Sequence, residues 1–195
     1  MLRAAALLLA PAILAAPATA QEAIAHLRPA DLPRWEDQDA ALGRALAAAL
    51  AGGAPQEVAV LVDAMAGAPG AFEPKGEWSC RVLKLGGLLP LTVYEPFRCS
   101  IQRAAGGGWS LAKLSGSQRL QGTIDAAGIY VGVGFVDGGP AASYADLPPD
   151  DQAPVEPGQT HAQVGRFEQT GPDRARLLLP SPLFESEFDI LVLAR

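Results

Sequence analysis

Two short polar runs hold the side chains best suited to chemistry in this chain: Lys113, Ser115, Ser117, Gln118 and Arg119, and later Glu185, Glu187 and Asp189. Side chains alternate between faces in an extended backbone, so Lys113, Ser115, Ser117 and Arg119 share one face, and the three acids share another. Opposite charges placed this way have three uses. They can close on one another as a salt-bridge network, which needs nothing beyond mutual satisfaction. They can hold a ligand. Or Glu185 and Glu187, beside Lys113 and Arg119, can serve as the carboxylate pair of a hydrolase. A serine nucleophile lacks its context: Leu114 to Gln118 is not G-x-S-x-G, and neither His26 nor His161 is placed to activate Ser115 or Ser117.

The two cysteines, Cys80 and Cys99, read as one disulfide in an exported chain. The thiol-nucleophile alternative needs a nearby base, and no histidine stands beside either cysteine in sequence. Two distant histidines give no metal-ligand spacing, and Gly106-Gly107-Gly108 reads as a hairpin turn, not a phosphate loop. No metal and no cofactor is expected. Tyr94, Trp109, Tyr130 and Tyr144 read as core or rim aromatics.

The 195 residues suffice for one domain with a sizeable core. Residues 1–20 read as a cleaved signal peptide: Arg3 precedes an apolar run from Ala4 to Leu14, and Ala18-Thr19-Ala20 is the small-x-small cleavage pattern. Pro11 and Pro17 interrupt the run, which is short of a membrane span. Losing Arg3 takes the formal net charge from −6 to −7. With no basic run, this argues against nucleic acid or an anionic membrane surface as the partner. The expected location is periplasmic or secreted, with no membrane span in the mature chain.

After a flexible leader, Gln21 to Ala30, a helical hairpin is expected over residues 31–67. Asp31 would cap the first helix, whose stripe is Trp35, Leu42, Leu46, Ala49 and Leu50. Val58, Leu61, Val62 and Met65 would form the stripe of the second. From Phe72 the period becomes strand-like, and turn signals separate about eight strands. An antiparallel meander of that size closed into an up-and-down barrel, residues 72–195, removes its exposed edges. Within the first hairpin, placing Cys80 opposite Cys99 pairs Val82 with Phe97, Trp78 with Ile101 and Lys84 with Glu95. Phe188 to Leu193 is apolar on both faces, so one face should line the barrel and the other lie under the helices. The acidic, proline-rich stretch Asp137 to Gly158 is a long surface loop, either a lid or an insertion.

At GEWSCRVLKLGG (Gly76 to Gly87), KLSGSQRLQG (Lys113 to Gly122) and Val164 to Leu193, the chain resembles the bacterial family DUF4893, a domain of unknown function. That resemblance implies membership and no particular chemistry. Gly76-Glu77-Trp78 is similar to the G-x-W of calycins, among them lipocalins and periplasmic metalloprotease inhibitors. The expected fold is therefore mainly β, a calycin-like barrel with a helical hairpin packed outside it. The expected function is a non-enzymatic binding or structural module, with a small ligand or a periplasmic protein at the barrel mouth and the acidic loop as its rim. The alternative is the hydrolase.

Overall fold

The structure, a computed structural model, describes residues 26–136 and 138–195; the expected signal peptide and the first half of the leader, residues 21–25, lie outside the described residues. Three helices come first: α1 (Leu32–Glu36), α2 (Gln38–Gly52) and α3 (Pro55–Met65). Nine strands follow: β1 (Gly76–Leu85), β2 (Leu91–Val93), β3 (Phe97–Arg103), β4 (Trp109–Lys113), β5 (Gln118–Ile124), β6 (Ile129–Val136), β7 (His161–Gly171), β8 (Arg174–Pro180) and β9 (Phe188–Ala194). All pairings are antiparallel. β1 and β3 to β9 form a closed eight-stranded barrel, β9 returning to pair with β1, and β2 is an extra strand on the end of β1. Closure leaves the barrel strands no free edge to template aggregation.

The first hairpin departs from the expected register. Cys80 stands opposite Phe97 and Trp78 opposite Cys99, so the disulfide joins diagonal neighbours with Cα atoms 5.8 Å apart. Lys84 faces Thr92 on one side and Asp189 on the other, not Glu95. Between Val93 and Phe97, Tyr94, Glu95 and Pro96 oppose only Arg81 and Val82 on β1. Pro96 has no N–H to give the ladder, and the extra residue makes a bulge. Against β3 the pairing differs from expectation by two positions, so Cys80 and Cys99 stay on one face, whereas against β2 it differs by three.

Trp78, Ile101, Trp109, Tyr130 and Phe167 fill the barrel toward the end where β1 begins, around the disulfide. Glycine makes that filling possible. A Cβ on inward-facing Gly132 would come within 2.3 Å of the Tyr130 hydroxyl oxygen, and one on Gly122 within 2.7 Å of the Tyr130 ring. β9 divides its side chains as expected: Leu191 and Leu193 face the barrel interior, while Phe188 and Ile190 pack beneath the helices.

The helices sit closer than the leucine stripe implied. Ala41, Ala45 and Ala49, one face at i, i+4 and i+8, are fully buried against the barrel, whereas Leu50 is 55% and Val62 59% exposed. Small residues allow close approach, and Leu42 and Leu46 pack along the flanks. Asp31 makes no capping bond. Its carboxylate, 0% exposed, instead accepts from Arg28 (2.7 Å), Arg34 (2.6 Å), the Tyr144 hydroxyl (2.7 Å) and Gln152 (2.9 Å). Leu27 and Arg28, placed in the leader by the sequence, are accordingly buried. The same network pins the loop after β6, which packs along the outside of the barrel through Leu147 and Tyr144 against Val133 and Phe135. The loop is not the rim of the mouth.

Candidate functional site

The barrel is open at the end where β1, β4, β6 and β8 finish. Strand alternation aims Val82 and Lys84 of β1, Phe97 of β3, Lys113 of β4, Gln118 and Leu120 of β5, and Asp189 and Leu191 of β9 inward. They line a cavity of about 260 Å³ together with Leu179, Gln163 and the rim residues Tyr94, Ser117 and Arg119. A second compartment of about 350 Å³ shares Lys84, Gln118, Arg119, Gln163 and Asp189 with the first and adds His161, Phe184 and Glu185. Valine, leucine and phenylalanine make the apolar wall of the first compartment; the shared boundary is polar.

The connection between β8 and β9 covers the second compartment with Pro182, Leu183 and Phe184. It is held at several points. Lys84 Nζ donates to Glu185 at 2.5 Å and to Gln118 Oε1 at 3.1 Å, the Ser186 hydroxyl donates to Asp189 at 2.6 Å, and Leu88 N–H donates to the Glu185 carbonyl. Gly87, at φ +80°, lets the turn after β1 lie against this segment, because a Cβ there would meet the Glu185 carbonyl oxygen at 2.3 Å.

The expected pairing of Lys113 and Arg119 with Glu185, Glu187 or Asp189 does not form. Lys113 Nζ donates to the Ser115 and Gln118 carbonyls at 2.8 and 2.6 Å and lies 3.6 Å from the Phe97 ring centroid. Arg119 Nε donates to the Gly116 carbonyl at 3.2 Å. Among the described residues, neither cation has a carboxylate partner. Lys84 takes Glu185, and Glu187 turns outward to Arg44 of α2 at 2.6 Å. Ser115 also leaves the set, its hydroxyl accepting from Arg98 N–H at 2.9 Å. The mouth thus gathers Lys113, Ser117, Gln118, Arg119, Glu185 and Asp189 from the expected residues.

Sequence reasoning missed Lys84, His161 and Gln163. Period-two alternation from Trp78 through Cys80 and Val82 places Lys84 inward, and from Phe167 back through Gly165 it does the same for Gln163 and His161. The signal was present; pairing Lys84 with Glu95 hid it.

Electrostatics follow from burial. Burial, then the like charges of Arg119 and Lys84, lowers the Lys113 ammonium to about 8. Burial lowers His161, opposed by its bond to the Gln159 carbonyl, and the neutral ring donates from Nδ1 to that carbonyl at 2.8 Å. Burial pushes Asp189 up to about 6, against the pull of Ser186 and Lys84. A carboxyl raised in the fold contributes stability that is present below the unfolded value of 3.8 and lost as pH rises through about 6. Asp189→Asn should therefore stabilise the protein at pH 7 by on the order of 2 kcal/mol and flatten the stability profile between about pH 4 and 6. Urea unfolding across that range checks it; an unchanged profile would assign the pH dependence elsewhere.

The family model described as Domain of unknown function (DUF4893) matches residues 24–193. The chain belongs to the DUF4893 family. The match runs from before α1 into β9, so the helices, the barrel and the mouth all fall within the DUF4893 unit. No curated protein and no solved structure matches the chain. Chemically, this DUF4893 mouth offers two cations that have no counter-charge among the described residues, a glutamine amide, an apolar wall and a buried acid. Among the described residues no group of histidine, cysteine and carboxylate side chains is placed to hold a metal ion.

Proposed function

We propose that this DUF4893 protein is an exported binding module that takes a small ligand into the mouth of its barrel. The observation that carries this reading is the hollow upper barrel, walled by Val82, Leu120 and Leu191, onto which Lys113 and Arg119 present positive charge with no protein counter-charge among the described residues. Lys113 is buried whereas Arg119 is half-exposed; buried cations are normally paired, and a ligand anion supplies the partner that Lys113 lacks. The first compartment lies near the lower end of the roughly 300–1,000 Å³ typical of ligand pockets, which suits a small molecule. Export is supported by the signal-like residues 1–20 and by the disulfide.

The hydrolase alternative has less support, because Glu187 faces α2 and Glu185 is engaged by Lys84. Expression with the native leader should yield a chain beginning at Gln21. Denaturing that purified protein should release a small anion detectable by mass spectrometry, and the near-isosteric Lys113→Met variant should release several-fold less. A chain that retains residues 1–20, or one that releases nothing and gains no thermal stability from any member of a small-anion panel, would overturn the corresponding half of the reading.

A further inference from the structure

On its outer face the barrel carries a third hollow, of about 650 Å³, larger than either compartment of the mouth. Two rows of side chains cross the strands there. Val133, Gln121, Ala112 and Ser100 stand directly opposite one another on β6, β5, β4 and β3, and Val131, Thr123, Ser110 and Gln102 do the same two positions along. Apart from the two glutamines these side chains are short, so the rows leave a trough. Tyr144, packed against the Val133 cluster, walls it at the β6 end. No charged residue lines the trough: it is apolar at Val131 and carries hydroxyl and amide groups from β5 to β3. The closed barrel offers no strand edge here, so a chain lying in the trough crosses the strands and is held by side chains.

The described chain begins beside Tyr144. Arg28 N–H donates to the Tyr144 hydroxyl at 3.1 Å, and the Arg28 guanidinium lies 5.5 Å from the centre of that ring. In a chain cleaved after Ala20, the five residues Gln21-Glu22-Ala23-Ile24-Ala25 precede His26, and the family match already starts at residue 24. Five extended residues span at most about 17 Å, and the strand spacings from β6 to β3 come to roughly 14 Å, so the segment is long enough to cross the trough. Alternation puts Ile24 and Glu22 on one face about 7 Å apart, with Ile24 nearer Tyr144. An apolar group first and a polar one beyond it is also the order of the trough's lining.

We propose that the trough is the seat of residues 21–25 of the mature chain, with Ile24 against Val131 and Glu22 accepting from the Thr123 and Ser110 hydroxyls. A segment tethered this close to its seat meets it at an effective concentration on the order of millimolar, so one apolar anchor is enough to hold it. The docked segment would cover the Arg28 to Tyr144 contact and fasten the start of the chain to the barrel wall, away from the mouth. This rests on cleavage after Ala20 and is independent of what the mouth binds.

The test is thiol labelling of a Gln121→Cys variant of the full mature chain. Gln121 is exposed on the trough, and the native cysteines are held in a buried disulfide, so the introduced thiol alone reacts. Adding Ile24→Asp should speed labelling about tenfold, the effect of losing one buried aliphatic side chain, whereas Ile24→Val should leave it slow. Ala59→Cys, exposed on α3, should label at one rate in all three backgrounds. A Gln121→Cys rate that Ile24→Asp does not change overturns the proposal. So does protection that grows with protein concentration, which would give the trough to a second copy of the chain. If the purified protein retains residues 1–20 and Ile24→Asp still speeds labelling, the cleavage reading falls and the seat of Ile24 stands. If the chain begins at Gln21 and the rate is unchanged, the seat alone falls.

Discussion

Replacing Asp31 by alanine is expected to cost about 3–5 kcal/mol, the range for removing one partner of a buried ion pair. The carboxylate is wholly buried, and the Arg28 and Arg34 side chains around it are 8% and 9% exposed. Without Asp31 the two guanidiniums keep backbone acceptors, Pro148 for Arg28 and Ala162 for Arg34, but have no counter-charge. The Tyr144 hydroxyl and Gln152 amide lose an acceptor at the same time, so the loop after β6 loses its tie to the start of the helices. Burial alone would raise the Asp31 pKa. The bond from Arg28, the charge of Arg34, and the bonds from Tyr144 and Gln152 outweigh it and hold the carboxyl below the usual 3.8. A depressed carboxyl contributes stability that is present above its unfolded value and lost as pH falls through its folded one. The wild type should therefore weaken in acid below about pH 4 through this site, and Asp31→Ala should lack that component. Urea unfolding at pH 7 and pH 3 measures both effects, and limited proteolysis reports on the loop. A variant as stable as wild type at pH 7 would mean that the arginines find other partners.

Removing the disulfide in a Cys80→Ala/Cys99→Ala variant should cost about 3 kcal/mol, from the freedom regained by an unfolded loop of about 20 residues. Both side chains are buried in the lower barrel, so two lost sulfur atoms add a smaller packing penalty. The same burial should keep the native bond inaccessible to a reductant that rapidly reduces the unfolded chain. Denaturant midpoints of oxidised wild type and the double variant decide the first point, and thiol labelling after reductant treatment decides the second. Rapid reduction of the folded protein would show that the barrel opens at that end.

Much of the fold was readable because closure of a barrel depends on period-two alternation and turn residues, both local in sequence. β9 illustrates this: its continuous apolar run implied burial on both faces, and it lies between barrel and helices. Register was harder. The cysteines invited direct opposition, yet they stand two positions out of register, and the residue inserted at Tyr94 to Pro96 shifts the pairing by one more between β3 and β2, a bulge that leaves almost no trace in hydrophobic patterning. On α2 the expected Leu42, Leu46 and Ala49 do pack on the barrel, but Leu50 does not and Ala41 and Ala45 were passed over, because leucines outweigh alanines on any hydropathy scale, whereas close packing rewards the smaller side chain. At the mouth, inward-facing residues were predictable and their partners were not. Lys84, Lys113 and Glu185 lie far apart in sequence, and which cation reaches which acid depends on where the connection between β8 and β9 crosses.

A strand apolar on both faces is an ambiguous instruction. If β9 slid by one residue, Phe188, Ile190 and Val192 would exchange faces with Leu191 and Leu193 at little hydrophobic cost, and the pattern alone would barely resist the error. Asp189 removes the degeneracy. In the native pairing it stands opposite Lys84 at the polar mouth, but one position of slippage would drive its carboxylate away from Lys84 and toward the apolar cluster under the helices. One acid in a run of hydrocarbon thus acts as an alignment mark, telling the last strand which of its two nearly equivalent faces belongs inside.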